Sequence, residues 1–458
     1  MTSRLAITFL AVLAGCCAGS CASPSESAGG AGGAPAAGPA GTVSAAGMGV
    51  DSSLGGDSAD PAGTAGVNVA GRSGSESAGG AGSASAADPA GAGSNTSGGA
   101  GQDSDPALPS RASVLEVLRR ANAYFSAKWP DPAKTVDSSH PSHIWTRSVY
   151  YEGLLALYGV DPKASDLEYA LAWAKSHSWG LNTGTTTRNA DNQCAGQTYL
   201  DLYAIERESS RIKDIQTDID MVVAGAAVDD WTWIDAIQMA MPVFAKLGVL
   251  TGKSSYYEKM YAMYSNTKRV QGAAGLYSKS EHLWWRDENY DPPYTEPNGE
   301  SCYWSRGNGW VFAALTRVLD TIPESEPHRV EYLADFIDMA EALRGLQRTD
   351  GFWNVSLHDP THFGGPELTG TSLFTYGMAW GVRKGLLPAA SYRPVIEQAW
   401  QAMASSVHEN GFLGYVQGTA AEPADSQPVS FDKQPNYEDF GLGCFLLGGS
   451  EVARLAPR

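Results

Sequence analysis

The chain has 458 residues and a formal net charge of -18 at neutral pH. That length allows two or three average domains. The acidity argues against a partner bound through nucleic-acid phosphates, favours solubility and by itself identifies no substrate.

In chain order, residues 1–21, MTSRLAITFLAVLAGCCAGSC, carry one early positive charge, Arg4, and an apolar core from Leu5 to Leu13. That core is too short to span a bilayer as a stable helix, so the segment reads as an export signal peptide. Its end, Leu13-Ala14-Gly15-Cys16, resembles the lipobox of bacterial lipoproteins, in which cleavage before the cysteine leaves Cys16 as the lipid-bearing first residue. On this reading the protein is lipid-anchored at the cell envelope, on the outer surface or facing the periplasm, and the lipid is its only membrane contact. An ordinary secretory signal cut near Ala22 is the alternative, and it gives a secreted protein.

Residues 22–110 are Gly, Ala, Ser, Pro and Thr with scattered acids, contain no aromatic residue and repeat SAGGAG at 27 and 77. Such a stretch buries too little to offset the entropy of ordering, and is expected to be a disordered tether with an r.m.s. reach of roughly 50 Å. Every Trp and Tyr and nearly every Phe falls in residues 111–458, enough for a large core, so the function is expected there.

Within that region apolar residues recur at three- and four-residue intervals over about 112–127, 144–158, 164–178, 192–206, 209–224, 234–248, 253–269, 308–321, 329–347, 371–385, 390–408 and 438–455. Twelve helices are predicted, with Gly and Pro between them. Alternating runs are short and few, near Leu276-Tyr277 and from Phe352 to Leu357, which argues against a sheet-based fold. The pattern suits an all-α (α/α)6 barrel, a toroid of six helical hairpins, over an α-solenoid, because no fixed repeat period is visible.

Four stretches combine polar groups, tryptophan and glycine near predicted helix starts: NADNQCAGQTYLDLY (189–203), WTWIDAIQMAMP (231–242), SCYWSRGNGW (301–310) and GGPELTGTSLFTYG (364–377). Asp235 has two readings. With Gln238 three residues on, it resembles a capping box. Alternatively it is a general acid whose pKa is raised by an apolar wall of Trp231 and Trp233 and by a second carboxylate. Asp191 carries the same pair of readings. Arg306, between Trp304 and Trp310, suits an acidic sugar, since an arginine forks onto carboxylate and tryptophan faces stack on sugar rings. Gly307 and Gly309 would let the backbone approach a ligand closely, and a structural Arg–Asp pair is the competing reading.

His140 and His143 have a metal-like spacing, but Pro141 breaks any helix that would present both rings, and no metal or other cofactor is expected. HDPTH (358–362) reads as loop, with His358 and His362 as candidates for a pocket mouth. Cys194 and Cys302 either pair in an oxidising compartment or, like Cys444, remain buried thiols. No GxSxG, Walker or dinucleotide motif occurs in strand–turn–helix context.

Six separated segments, DNQCAGQTYLDLY, WIDAIQMAMPVFAKLG, WSRGNGWV, QRTDGFWNVSL, PELTGTSLF and YEDFGLGCFLLGGSEV, together resemble the unsaturated glycuronyl hydrolases of glycoside hydrolase families 88 and 105, nearer to the unsaturated rhamnogalacturonyl hydrolases of the latter. The resemblance covers nearly all of 111–458. It implies an (α/α)6 barrel that removes a 4,5-unsaturated uronic acid from the non-reducing end of lyase-generated, pectin-type oligosaccharides. It further implies Asp235 as proton donor, Asp191 as the carboxylate that holds the sugar ring and tunes it, and a substrate-binding set of Trp233, Arg306 and Trp310, joined by Gln238 and Trp304. One departure concerns the substrate: rhamnogalacturonyl-specific members carry a histidine shortly before the W-x-D element, where this chain has Ala224 to Asp230 without one. An unsaturated uronide ending a glucuronate-containing chain therefore stays open. So do an inverting hydrolase or polysaccharide lyase on the same fold, and a non-catalytic glycan-binding lipoprotein.

Overall fold

The computed structural model describes residues 108–134, 140–436 and 438–458; the predicted signal peptide with Cys16, and the tether up to residue 107, lie outside them. The described residues form helices α1 (Arg111–Lys128), α2 (Trp145–Val160), α3 (Ala164–Ser176), α4 (Ala190–Gln193), α5 (Ala195–Ile205), α6 (Lys213–Ala224), α7 (Asp235–Thr251), α8 (Ser254–Arg269), α9 (Ser305–Thr321), α10 (Arg329–Gly345), α11 (Leu368–Arg383), α12 (Ala389–Ser405) and α13 (Asp439–Leu455). Extended structure among them is limited to isolated bridges, including Tyr277 with Trp284 and Trp304 with Ser356, at the short alternating runs seen in the sequence.

Two kinds of helix are legible in the burial pattern. Outer helices bury one stripe: α10 buries Tyr332, Asp335, Phe336, Met339, Ala340 and Leu343, the three–four spacing of a helix covered on one side. Inner helices are buried all round, as α11 is from Leu368 to Gly381 and α13 from Asp439 to Ala453. The inner set closes into a ring: α2 packs on α5, α5 on α7, α7 on α9, α9 on α11, α11 on α13, and α13 returns to α2. Helices α1, α3, α8, α10 and α12 lie against this ring, with α6 packed on α8, which is the (α/α)6 barrel expected. The closing seam is glycine on glycine. A Cβ on Gly153 would sit 2.4 Å from the Gly443 carbonyl oxygen, so α2 and α13 approach at a distance no other residue permits.

Helix bounds differ from expectation in two informative places. The fourth predicted helix breaks at Cys194 into α4 and α5. Helix α9 starts at Ser305, three residues ahead of the expected 308, which puts Arg306 and Gly307 inside the helix with Asn308 and Gly309.

Candidate active site

Because outer helices running back alternate with the inner ones along the chain, the six inner helices share a direction and their N-termini meet at one end of the ring. Arg147, in the first turn of α2, donates from Nε to Oδ2 of Asp439, the first residue of α13, at 3.1 Å. Arg306, second in α9, reaches Thr369 Oγ1, second in α11, at 3.5 Å and lies 4.9 Å over the ring of Phe440, second in α13. Helix N-termini gathered in this way offer unpaired N–H groups and positive dipole ends, an environment suited to an anionic ligand.

Asp235 opens α7 at this end and is 8% exposed. Its Oδ2 has no hydrogen-bond partner; the nearest cation is Arg286, whose Nε stands 3.4 Å away and also lacks a hydrogen bond. Burial raises the Asp235 pKa, Arg286 and Arg306 pull against that rise, and Asp287 adds to it. Trp231 is fully enclosed nearby and Trp233 is half-buried. The capping-box reading is corrected: Gln238 does not reach back to the helix start but donates its amide to Glu152 Oε2 at 2.9 Å.

Asp191 is the second residue of α4, and the cap there is Asn189, whose Oδ1 accepts from the Asp191 N–H at 2.8 Å. Asp191 is therefore free of the capping duty weighed for it. Its pKa is pushed up to about 7, first by burial and then by the charge of Asp235, with Arg286 opposing. Two carboxylates in one field cannot both ionise easily, so one proton is retained where isolated aspartates would have lost it.

The WSRGNGW stretch has a different task from the one expected. Arg306 is 1% exposed and donates from Nη1 to the Gln417 carbonyl and from Nη2 to the Gly418 carbonyl, both at 2.7 Å, with Trp304 stacked beneath it at 4.7 Å. Its fork is spent on the main chain, so it fixes the 417–418 loop at the rim. Trp304 donates to Gln417 Oε1 at 2.9 Å in the same cluster. Trp310 is 0% exposed, edge-on to Trp145 at 6.4 Å, with no face left for a sugar. Gln238, also 0% exposed, serves the interior. The glycines serve helix packing: a Cβ on Gly307 would meet Trp304 at 2.8 Å, and one on Gly309 would meet Leu373 of α11 at 2.9 Å.

Sequence reasoning missed Arg286. It lies in the irregular segment between α8 and α9, where its carbonyl accepts from the Ile234 N–H at 3.0 Å and its guanidinium also pairs with Asp287. Asn308 holds the adjoining Trp284 like a strand, accepting from its N–H at 2.8 Å and donating to its carbonyl at 3.0 Å. The signal was present in Trp284-Trp285-Arg286-Asp287, an arginine beside tryptophan like the one in WSRGNGW.

The remaining candidates fall outside this cluster. His143 stacks on His177 at 4.1 Å, and His177 Nε2 hydrogen-bonds Ser142 Oγ at 2.5 Å. His362 pairs with buried Glu296, and His358 sits edge-on to Tyr303 at 4.8 Å. In the stretch lacking the histidine, Asp230 accepts from Arg188 Nε at 2.6 Å. Cys194, Cys302 and Cys444 are buried free thiols.

A toroid of paired helices with two acids at the open end of its inner ring is an arrangement suited to a glycoside hydrolase, and the comparisons with known proteins place the chain in that class. Residues 117–456 match the model of glycosyl hydrolase family 88, and the chain belongs to that family. An unsaturated 3S-rhamnoglycuronyl hydrolase of Formosa agariphila is 31% identical over 333 residues, which are 68% of this chain and 84% of the relative. A glycosyl hydrolase family 88 structure from Bacteroides vulgatus superposes with a TM-score of 0.69 at 30% identity, covering 76% of this chain and 99% of the other. A solved structure described as a polysaccharide lyase superposes with a TM-score of 0.68 at 31% identity, covering 75% and 98%.

Proposed function

We propose that the protein removes a 4,5-unsaturated uronic acid from the non-reducing end of oligosaccharides left by a polysaccharide lyase. The observation that carries this reading is Asp235 Oδ2, buried, without a hydrogen bond, coupled to Asp191 and faced by Arg286. Asp235 protonates the enol ether at C4, water adds at C5 as an aspartate accepts its proton, and the resulting hemiketal opens and expels the neighbouring sugar. The order of events needs an acid that holds its proton more tightly than a free aspartate, and burial raises the Asp235 pKa in that direction. Arg286 is the side chain suited to fork onto the uronate carboxylate. Pairing there would offset its pull on Asp235 and leave that acid more fully protonated once substrate arrives. Trp233 supplies part of the apolar wall.

The name of the Formosa relative supports a rhamnose-linked uronate as substrate. The likeness to a polysaccharide lyase favours a second reading, because a lyase creates the C4=C5 bond that a hydrolase consumes. Ultraviolet absorbance of the conjugated uronate separates them. Lyase digests of rhamnose-containing uronans should lose absorbance with the protein present. A gain on intact polymer would favour the lyase, and no change on either substrate by folded protein would end both readings.

A further inference from the structure

Below the two aspartates, the ring encloses a further carboxylate that the chemistry above does not use. Glu152, midway along α2, has a side chain with 0% exposure. Its Oε1 accepts from the Cys194 thiol at 3.4 Å and its Oε2 from Gln238 Nε2 at 2.9 Å. Cys194 stands three residues after Asp191, and Gln238 three residues after Asp235. At helical spacing, residues three apart share a face one turn from each other. One buried carboxylate is thus tied to the turn beneath each of the two acids.

The charged groups facing Glu152 come from the other inner helices. Arg317 of α9 is 3.6 Å from Oε2, and Lys246 of α7 and Asp201 of α5 pair with each other at 2.6 Å behind it. Gln197 of α5 stitches the same layer, donating to the Gln238 carbonyl at 2.7 Å and accepting from Arg317 Nε at 3.0 Å. Two acids face two bases in this layer, and burial raises the Glu152 pKa and lowers that of Lys246, each toward its neutral form. Apolar side chains of similar volume would often hold such a core at least as stably, but they would not fix the register of four helices by directed bonds.

We propose that Glu152 is a positioning residue that sets the separation of Asp191 and Asp235 through its bonds to Cys194 and Gln238. The proposal rests on the reading that these two aspartates carry the acid chemistry. If the spacing is set here, loosening either tie lets the acids part, weakens their mutual repulsion and lets Asp191 release its proton at lower pH.

The test cuts each tie while leaving Glu152 and both aspartates in place, in the full chain. Cys194→Ala and Gln238→Leu should each lower kcat roughly tenfold with KM changed less than about twofold. The alkaline limb of the pH–rate profile should move to lower pH, and the Asp191 carboxyl carbon, followed by NMR and assigned with Asp191→Asn, should titrate lower by about half a unit or more. Cys194→Ser keeps a donor and should restore the wild-type titration. Folded variants with unchanged kcat and unchanged Asp191 titration would overturn the proposal. If Gln238→Leu fails to fold, Cys194→Ala decides alone. Absence of turnover by the wild type would count against the functional reading, whereas the titration tests positioning regardless.

Discussion

Glu152 and Asp235 are both enclosed by the inner helices, and their surroundings are opposite in kind. Both oxygens of Glu152 accept hydrogen bonds and Arg317 stands close by, whereas Asp235 Oδ2 accepts none and its arginine stands at 3.4 Å without a bond. A satisfied buried carboxylate stabilises one arrangement of helices. An unsatisfied one costs free energy that an ion pair without a hydrogen bond offsets only in part, and at the open end of the ring it leaves Asp235 Oδ2 free to take a partner from outside.

Asp235→Asn breaks the comparison most sharply. It should lower kcat by about 10²–10⁴-fold while oligosaccharide binding holds and the unfolding temperature at neutral pH holds or rises, since the amide removes the acid together with the cost of burying its charge. A cooperative loss of structure would instead place Asp235 with Glu152 among the structural acids.

Asp191→Asn acts on stability with a definite sign. Asp191 titrates near 7 in the folded chain and near the ordinary value of about 4 when unfolded, so the native state binds its proton more tightly. Wild-type stability therefore falls as pH rises from about 4 to about 7, and the neutral amide escapes that loss. The variant should be more stable than wild type at pH 8 by about 2 kcal/mol, allowing for partial exposure, and equal to it below about pH 4, as read by denaturant unfolding. Equal stability at pH 8 would mean that neither burial nor Asp235 raises the Asp191 pKa in the folded chain.

Arg286→Met sharpens the contrast on a smaller scale. Losing the cation removes a force that lowers the Asp235 pKa, so the alkaline limb of activity should move to higher pH. KM should rise about tenfold if the guanidinium holds the uronate. An unmoved limb with an unchanged KM would separate Arg286 from both roles.

Most of the fold was legible because burial leaves a pattern: α10 shows its stripe in the letters alone, and α11 shows a stretch of apolar, small and hydroxyl residues without a charge until Arg383. Asp235 and Asp191 were legible for a related reason, as charges set in apolar surroundings. What each polar side chain touches was not. Arg306 looked like a fork for a ligand, yet its partners are carbonyls of Gln417 and Gly418, more than a hundred residues away and invisible to any local pattern. Trp310 and Gln238 were read by residue type, whereas their place within the ring turns them inward. Arg286 sits in an aperiodic segment, where spacing carries no signal.

The glycine seam between α2 and α13 bears on how the molecule is made. Residues 292 positions apart, Arg147 and Asp439, must meet for the ring to close, and the meeting surface belongs to the last helix described. During synthesis the five earlier inner helices emerge with one flank of α2 and one of α11 uncovered, two apolar edges awaiting the same partner. Closure is then a late, long-range event, slow by the entropy of joining distant segments. Until it occurs the rim lacks Asp439 and Phe440, the α13 partners of Arg147 and Arg306, so the end of the ring that holds the two acids is completed only by the last step of folding.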